Sequence, residues 1–599
     1  MRTSIATVCL SGALVDKLHA CAAAGFDGVE VFEPDLVASD HSPEEIRALA
    51  DRLGLGLDLY QPFRDLEGVD DALFADNLRR AEQKFALMNR FGIDTMLLCS
   101  NVATATIDSD ELFAAQLREL GDLAERYDVR IAYEALAWGR YVADYRRSWD
   151  VVRLADHPRV GLCLDSFHIL SRGHDPAAIA DIPGERIFFL QLADAPTMTM
   201  DLLSWSRHHR LFPGEGSFDL ARFLDLVLAT GYDGPVSLEV FNDVFRQTDP
   251  GRTALHARRS LTWLEDRTAH RSPALGLRLL PPAAPPSGVD FVEVKAEDTT
   301  DVEVLLEQLG FDFGGRHRSK PVRLWSQGEA RVVVNEQGAR GQLPHLAALG
   351  FGVADADAAA DRAAVLRAPR VARRTYRSEL TLTAVAAPDG TEVFFCPTSA
   401  DWVSEFEEGT PAAGESLVTR VDHVNLAQPW DDFDEAVLFY ASTLGLVADA
   451  GTEVAGPRGL VRSQVMRTED CCVRLPLNVA PVSEEGLLPQ HVAFACTDVV
   501  ALAERARAAG LVSLPVPANY YDDLMARFDL DPALLARLRE LDLLYDRDAH
   551  GELLHFYTPT VAGVFFEALE RRGDYAGYGA PNAPVRLAAQ QRSTPQTLP

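Results

Sequence analysis

Eight short apolar runs alternate with amphipathic helical stretches through the first 266 residues, and that rhythm constrains the fold more than any other feature of the chain. The runs are Ile5–Leu10, Val29–Phe32, Leu55–Tyr60, Thr95–Leu98, Arg130–Glu134, Val160–Asp165, Ile187–Leu192 and Val236–Glu239. Apolar runs of this length with helical stretches between them read as parallel strands of a βα repeat. A helix start is written into one of the gaps. Ser42-Pro43-Glu44-Glu45 combines an N-cap Ser, Pro at the first helical position and Glu three residues after the cap. Eight such units in about 250 residues match a (β/α)8 TIM barrel. A doubly wound open sheet is the alternative, but no Gly-rich nucleotide loop follows the first run.

The carboxyl ends of barrel strands open into one shared mouth, where the chemistry of such folds sits. Four successive runs close on polar residues, Glu134, Asp165, Gln191 and Glu239. Converging there, they offer a hard, oxygen-rich site for Mg²⁺, Mn²⁺ or Co²⁺. Any one of them alone is an ordinary strand-end polar residue; four in a row need a common reason. The loops add His168, three past Asp165, then Arg210, and Gln61 and Arg64 in Tyr-Gln-Pro-Phe-Arg. A lone loop His or Arg is ordinarily structural or solvated. Placement beside a candidate metal site is what singles these out.

Residues 267–288 lose all periodicity and end Leu-Pro-Pro-Ala-Ala-Pro-Pro-Ser-Gly, which reads as a semi-rigid linker. Beyond it lies an internal repeat. Asp290-Phe291-Val292-Glu293-Val294 parallels Asp422-His423-Val424-Asn425-Leu426, and each is followed by an acidic amphipathic helix and then Leu-Gly-Phe or Leu-Gly-Leu. That order is expected of a duplicated α+β module, over 289–410 and 417–579, with 580–599 a disordered tail.

The formal net charge of −32, from 57 basic and 89 acidic residues, argues against nucleic acid or an anionic membrane as partner. An anionic substrate would need local cations or a metal to overcome that field. Eight scattered cysteines without a CxxC suggest reduced thiols in a cytosolic protein. The opening apolar run is too short for a signal peptide, and no stretch reaches the roughly 18 apolar residues of a membrane span. The expected location is the cytoplasm. The expected partners are a small-molecule substrate and, at most, further copies of the chain.

The strand-end Glu, the Asp-x-x-His and the Arg-x-x-Pro-Gly-x-Gly-x-x-Asp run resemble the sugar isomerase/epimerase superfamily of TIM barrels over residues 1–266. The resemblance implies one divalent metal held by Glu134, Asp165, Gln191 and Glu239. Many sugar epimerases carry His at the third ligand. Gln191 points instead to the branch of 3-dehydroshikimate dehydratases, whose bacterial members fused to a hydroxyphenylpyruvate-dioxygenase-like half share this layout. The implied activity is a metal-dependent hydro-lyase forming protocatechuate in quinate and shikimate catabolism. Loss of water from this β-hydroxy ketone needs a base beside the ketone, a Lewis acid for the enolate and an acid for the departing hydroxyl. His168 is the expected base, with Glu134 or Glu239 as alternatives. Gln61, Arg64 and Arg210 are expected at the substrate, the arginines as carboxylate clamps. A sugar or hydroxypyruvate isomerase/epimerase on the same barrel is the second reading. A barrel regulated by a C-terminal half that senses an aromatic acid is the third.

The second half resembles 4-hydroxyphenylpyruvate dioxygenase, a duplicated member of the vicinal-oxygen-chelate fold. Residues Leu477-Asn478, Gln490 and Asn519-Tyr520-Tyr521 match the family's surroundings. Its metal triad of two His and one Glu maps onto His423, His491 and Glu567, implying a second site for Fe²⁺, Mn²⁺, Co²⁺ or Mg²⁺. Phe291 stands where the metal-binding module has His423, so 289–410 is the degenerate copy. Two departures stand out. His555 replaces a Gln that binds substrate in the family, and in Gly-Ala-Pro-Asn-Ala-Pro two prolines oppose the family's closing helix. Both are expected to leave metal binding without the family's oxygenase reaction.

Overall fold

Each of the eight apolar runs becomes a strand, because in a closed barrel covered by helices both faces of every strand are buried and the run reads as nearly continuous hydrophobicity. In the computed structural model these are β1 (Thr3–Ala6), β2 (Gly28–Phe32), β3 (Gly56–Phe63), β4 (Thr95–Cys99), β5 (Arg130–Glu134), β6 (Val160–Asp165), β7 (Ile187–Leu192) and β8 (Val236–Leu238). They pair in parallel, in chain order, and close between β1 and β8. The first strand is shorter than the run that announces it. After Ala6 the backbone tightens into a 3₁₀ turn over Thr7–Cys9, whose residues are buried too, so hydrophobicity alone could not mark the break. The structure describes all residues except 284, 374, 378, 411–414, 458, 480–488 and 594–599.

Two compact units divide the chain, Met1–Leu280 and Pro281–Pro599. The first extends past the expected end of the barrel. Helix α1 (Pro250–Arg271) carries buried Leu261, Leu264, Thr268 and Ala269 through the start of the expected linker. Leu280 is itself buried, its N–H donating to Asp266 at 2.8 Å.

The second unit holds two mixed sheets with matching strand order. In the first, Gly288–Lys295 lies between Ala330–Asn335, parallel, and His345–Val353, antiparallel, with Glu392–Pro397 next. In the second, β9 (Val418–Gln428) lies between Arg474–Val479, parallel, and β10 (Gln490–Cys496), antiparallel; then come β11 (Gly551–Tyr557) and β12 (Val564–Gly573), with β12 beside β10. This is one module built twice. The register also shows what stands in the first copy at the places of two of the second copy's metal-ligand candidates. Glu567 pairs with Ala493, which pairs with His423. At the corresponding places Phe394 pairs with Gly350, which pairs with Phe291. The two phenylalanines meet at 5.5 Å, with Trp402 also on Phe291, as an apolar plug.

One expectation fails here. The segment expected to be disordered, and to be barred from helix by its prolines, forms a 3₁₀ turn over Ala580–Asn582 and a helix, α2 (Ala583–Ser593). Pro584 falls in the first turn of α2, where its missing N–H has no intrahelical partner to lose. Among the described residues, no helix is long and apolar enough to cross a membrane.

Candidate metal and active site

The barrel mouth gathers the strand-end residues into a cleft lined among others by Gln61, Arg64, Glu134, His168, Arg210 and Glu239. Glu134 ends β5 and Asp165 ends β6, and Glu239 follows β8 directly; all three are at most 5% exposed. Oδ1 of Asp165 accepts from the N–H of Phe167 at 2.6 Å, which caps the short helix carrying His168 and turns Oδ2 inward. Burial, with the Asp165 and Glu239 carboxylates nearby, pushes the carboxyl of Glu134 well above its usual range. Burial raises that of Glu239 as well. Such a cluster calls for positive charge, since like charges taken out of water cannot all ionise unaided.

Arg210 supplies part of it. Its Nη1 donates to Asp165 Oδ2 at 2.9 Å and to Glu239 Oε2 at 3.0 Å. The guanidinium is 1% exposed and lies over Phe167. This revises its expected role as a clamp on substrate, because the protein's own carboxylates engage it. Arg64 lines the same cleft and has no carboxylate partner among the described residues.

His168 is where the sequence places it, but its ring is not free. Nδ1 accepts the N–H of Ala137 at 3.1 Å, and Nε2 lies 3.6 Å from Asp165 and 3.7 Å from Glu134. Burial holds the imidazole neutral, its pKa pushed down to about 3. A neutral ring has one lone pair, so with Nδ1 accepting, the proton sits on Nε2 and faces the carboxylates.

Gln191 is buried on β7, with its amide turned away from the other three. Nε2 donates to Glu30 at 2.6 Å, and Oε1 accepts from the Cys163 thiol at 3.3 Å. Glu30, on β2, is a buried carboxylate at the site that the sequence reading missed. It is fully buried, also accepts from Gln61 at 2.8 Å and from Ser237, and its carboxyl is raised well above normal by burial and by Glu239. The available signal was a lone carboxylate inside Gly-Val-Glu-Val-Phe.

The donor set fits a hard divalent cation. Oxygens of Glu134 and Asp165 lie within 4.8 Å of each other and of a nitrogen of His168, whose lone pair is taken by Ala137, so the carboxylate oxygens are the donors. Oε1 of Glu134 is a buried atom without a hydrogen-bond partner. Glu239 joins the group through Arg210, and Gln191 is the predicted ligand whose amide is already engaged elsewhere.

The second unit brings its three predicted ligands together more tightly. His423 Nε2, His491 Nε2 and Glu567 Oε2 are mutually 3.3, 3.1 and 3.3 Å apart. Metal–ligand bonds of about 2.1 Å at right angles separate neighbouring ligands by about 3 Å, so this triangle fits a facial site. Around it, Asp422 accepts from His423 Nδ1 at 2.9 Å and is gripped through both oxygens by Arg571, at 2.8 and 2.9 Å. His555, expected on a substrate-facing wall, is instead 0% exposed and bonded through Nδ1 to Glu567 Oε1 at 2.7 Å. The position is set by its register on β11, where it pairs with Leu569 of β12, two residues beyond Glu567.

Comparisons with known proteins follow the same division. Residues 18–267 match the family described as xylose isomerase-like TIM barrel. Residues 283–404 match hydroxyphenylpyruvate dioxygenase, N-terminal, and 420–534 the glyoxalase/bleomycin resistance protein/dioxygenase superfamily. Over the whole length the chain is 43% identical to a 3-dehydroshikimate dehydratase of Pseudomonas putida, covering 99% of this chain and 98% of that one. It is 44% identical to the enzyme of that name from Pseudomonas aeruginosa, covering 99% of each. A 4-hydroxyphenylpyruvate dioxygenase of Pseudomonas aeruginosa is 27% identical over 49% of this chain and 90% of its own. Among solved structures, a xylose isomerase-like TIM barrel/4-hydroxyphenylpyruvate dioxygenase fusion protein matches with a TM-score of 0.90 and 42% identity, covering 99% of this chain and all of that one.

Proposed function

The chain belongs to the 3-dehydroshikimate dehydratase family, and from that membership we propose how its barrel performs the dehydration of 3-dehydroshikimate to protocatechuate. The observation that carries the assignment of residues is the cluster of buried carboxylates at the strand ends around Arg210, beside the unpaired Arg64.

Glu134, Asp165 and Glu239 would hold a divalent metal, while Gln191, the fourth ligand expected from the sequence, bonds Glu30 instead. Bound there, the metal would polarise the substrate ketone and stabilise the negative charge that develops on its oxygen. Arg64 receives the substrate carboxylate, because it faces the cleft with no carboxylate of its own. Gln61, which bonds Glu30, hydrogen-bonds the substrate from the same wall. Glu134 takes the proton beside the ketone. Glu134 then returns that proton to the departing hydroxyl, so water leaves and the electron pair of the C–H bond becomes the new C=C. His168 contributes its Nε2–H as a hydrogen-bond donor on the same side. The second unit's triad, His423, His491 and Glu567, would hold a metal of its own.

The test is to incubate the purified protein with Mg²⁺, Mn²⁺ or Co²⁺ and 3-dehydroshikimate while following catechol absorbance. Chelation, or Glu239→Ala, is expected to lower turnover by several orders of magnitude, since charge stabilisation and substrate positioning are lost together. Undiminished turnover by metal-free protein would rule out the assigned ligand set.

A further inference from the structure

Glu567 has two oxygens with different partners. Oε2 faces His423 and His491, and Oε1 accepts from His555. The direction of that last bond follows from the residues behind it. The Nδ2 group of Asn582 lies 3.1 Å from the carbonyl of Tyr545, which can only accept, so this end of the amide is the NH₂. Its oxygen takes the hydroxyl of Tyr520 at 3.0 Å. The same NH₂ lies 3.0 Å from Nε2 of His555 and donates to it, which leaves the ring proton on Nδ1, pointing at Glu567. Every group in this line is buried, only Glu567 Oε2, which faces the two histidines, lacks a hydrogen-bond partner, and the packing leaves little room for change. A Cβ on Gly579 would come within 3.1 Å of the His555 ring.

Asn582 lies immediately before α2, and Arg586 on α2 sits over the rings of Tyr557 and Phe565, beside His491. The closing segment 579–593 is therefore joined to the triad by a continuous hydrogen-bonded line.

We propose that His555 and Asn582 are positioning residues that fix Glu567 as a one-oxygen metal ligand, and that metal occupancy in turn orders the closing segment. The proposal rests on the reading that the triad holds a metal. In this chain the position that orients substrate in the resembled dioxygenases supports the metal instead. Partners of this kind typically contribute 10–100-fold to metal affinity.

The experiment uses the full chain and reads metal content by elemental analysis after Co²⁺ loading and desalting. Cobalt affinity is read by competition with a chelator, and backbone hydrogen exchange is followed across 579–593. The intact protein should hold about two metals and His423→Ala/His491→Ala about one. His555→Ala should weaken the second site about 10–100-fold and speed exchange in 579–593, with hydrogen exchange across the paired strands β9 and β10 unchanged as evidence that the second unit is folded. His555→Gln, whose amide N–H can still donate to Glu567, should recover most of the affinity. Equal affinity in His555→Ala and intact protein would overturn the proposal while leaving the metal site standing. A single metal in the intact chain would instead remove the site itself, and the proposal with it.

Discussion

In His168 the one lone pair of a neutral imidazole is taken at Nδ1 by the amide of Ala137. Arg210 Nη2, 3.3 Å from Nε2, is then a neighbour of the ring and donates to Ser206 at 2.8 Å. This separates two roles that the sequence could not. Replacing His168 by Gln keeps an N–H to offer but removes the basic nitrogen. Turnover by His168→Gln is expected to stay within about tenfold of the intact enzyme, while His168→Ala should lose more. A loss of about 10²–10⁴-fold in the Gln variant would return the base role to His168. Glu134, Asp165 and Glu239 could be found in the sequence because each ends a visible apolar run. Glu30 could not, because it lies within such a run, where a carboxylate aimed at the barrel axis looks like any interruption of hydrophobicity. The engagement of Arg210 by protein carboxylates was hidden for another reason. It joins residues 45 and 29 positions apart, across the mouth between the ends of β6 and β8.

Among the helices, local chemistry decided the ends. Before helix Pro43–Leu53, Ser42 Oγ accepts from the N–H of Glu45 at 3.3 Å, and the Glu45 carboxylate accepts from the N–H of Ser42 at 2.8 Å. Each bond satisfies an amide that the helix cannot. Ser42→Ala is expected to cost about 1 kcal/mol, lowering the melting temperature of the barrel unit by about 2 °C and leaving turnover alone. A calorimetric scan identical to that of the intact protein would show that solvent replaces the box without loss. The same local logic explains where the sequence reading of elements failed. Pro581 and Pro584 were weighed as obstacles to a closing helix, yet a proline is an obstacle only inside a helix, and these precede or begin one. The repeat already aligns Phe291 with His423, but the pairing of His345–Val353 with Glu392–Pro397, which sets Phe394 where Glu567 stands in the other copy, is a long-range contact that one sequence does not spell out.

At the level of the whole chain, the unit boundary at Leu280 makes a prediction about dissection. Residues 1–280 should be soluble and should dehydrate 3-dehydroshikimate in the presence of a divalent metal. A fragment ending at 266 should be less stable, because it removes the buried Thr268, Ala269 and Leu280. Burial of the Leu280 side chain is worth roughly 1.5–3 kcal/mol and that of the Ala269 methyl about 0.8 kcal/mol. Thermal melting of the two fragments side by side measures the difference. An insoluble 1–280 would mean that the barrel needs residues beyond Leu280.

Arg210 has a consequence for how such an enzyme is supplied with its metal. Because a guanidinium already stands between Asp165 and Glu239, the buried carboxylates are never left facing one another without a cation. Loading a divalent ion into the proposed barrel site would then be closer to ion exchange than to filling an empty cage. The chain can complete its fold and be held in reserve before any divalent ion arrives. The fraction of active enzyme would then follow the abundance of the ion, not the success of folding.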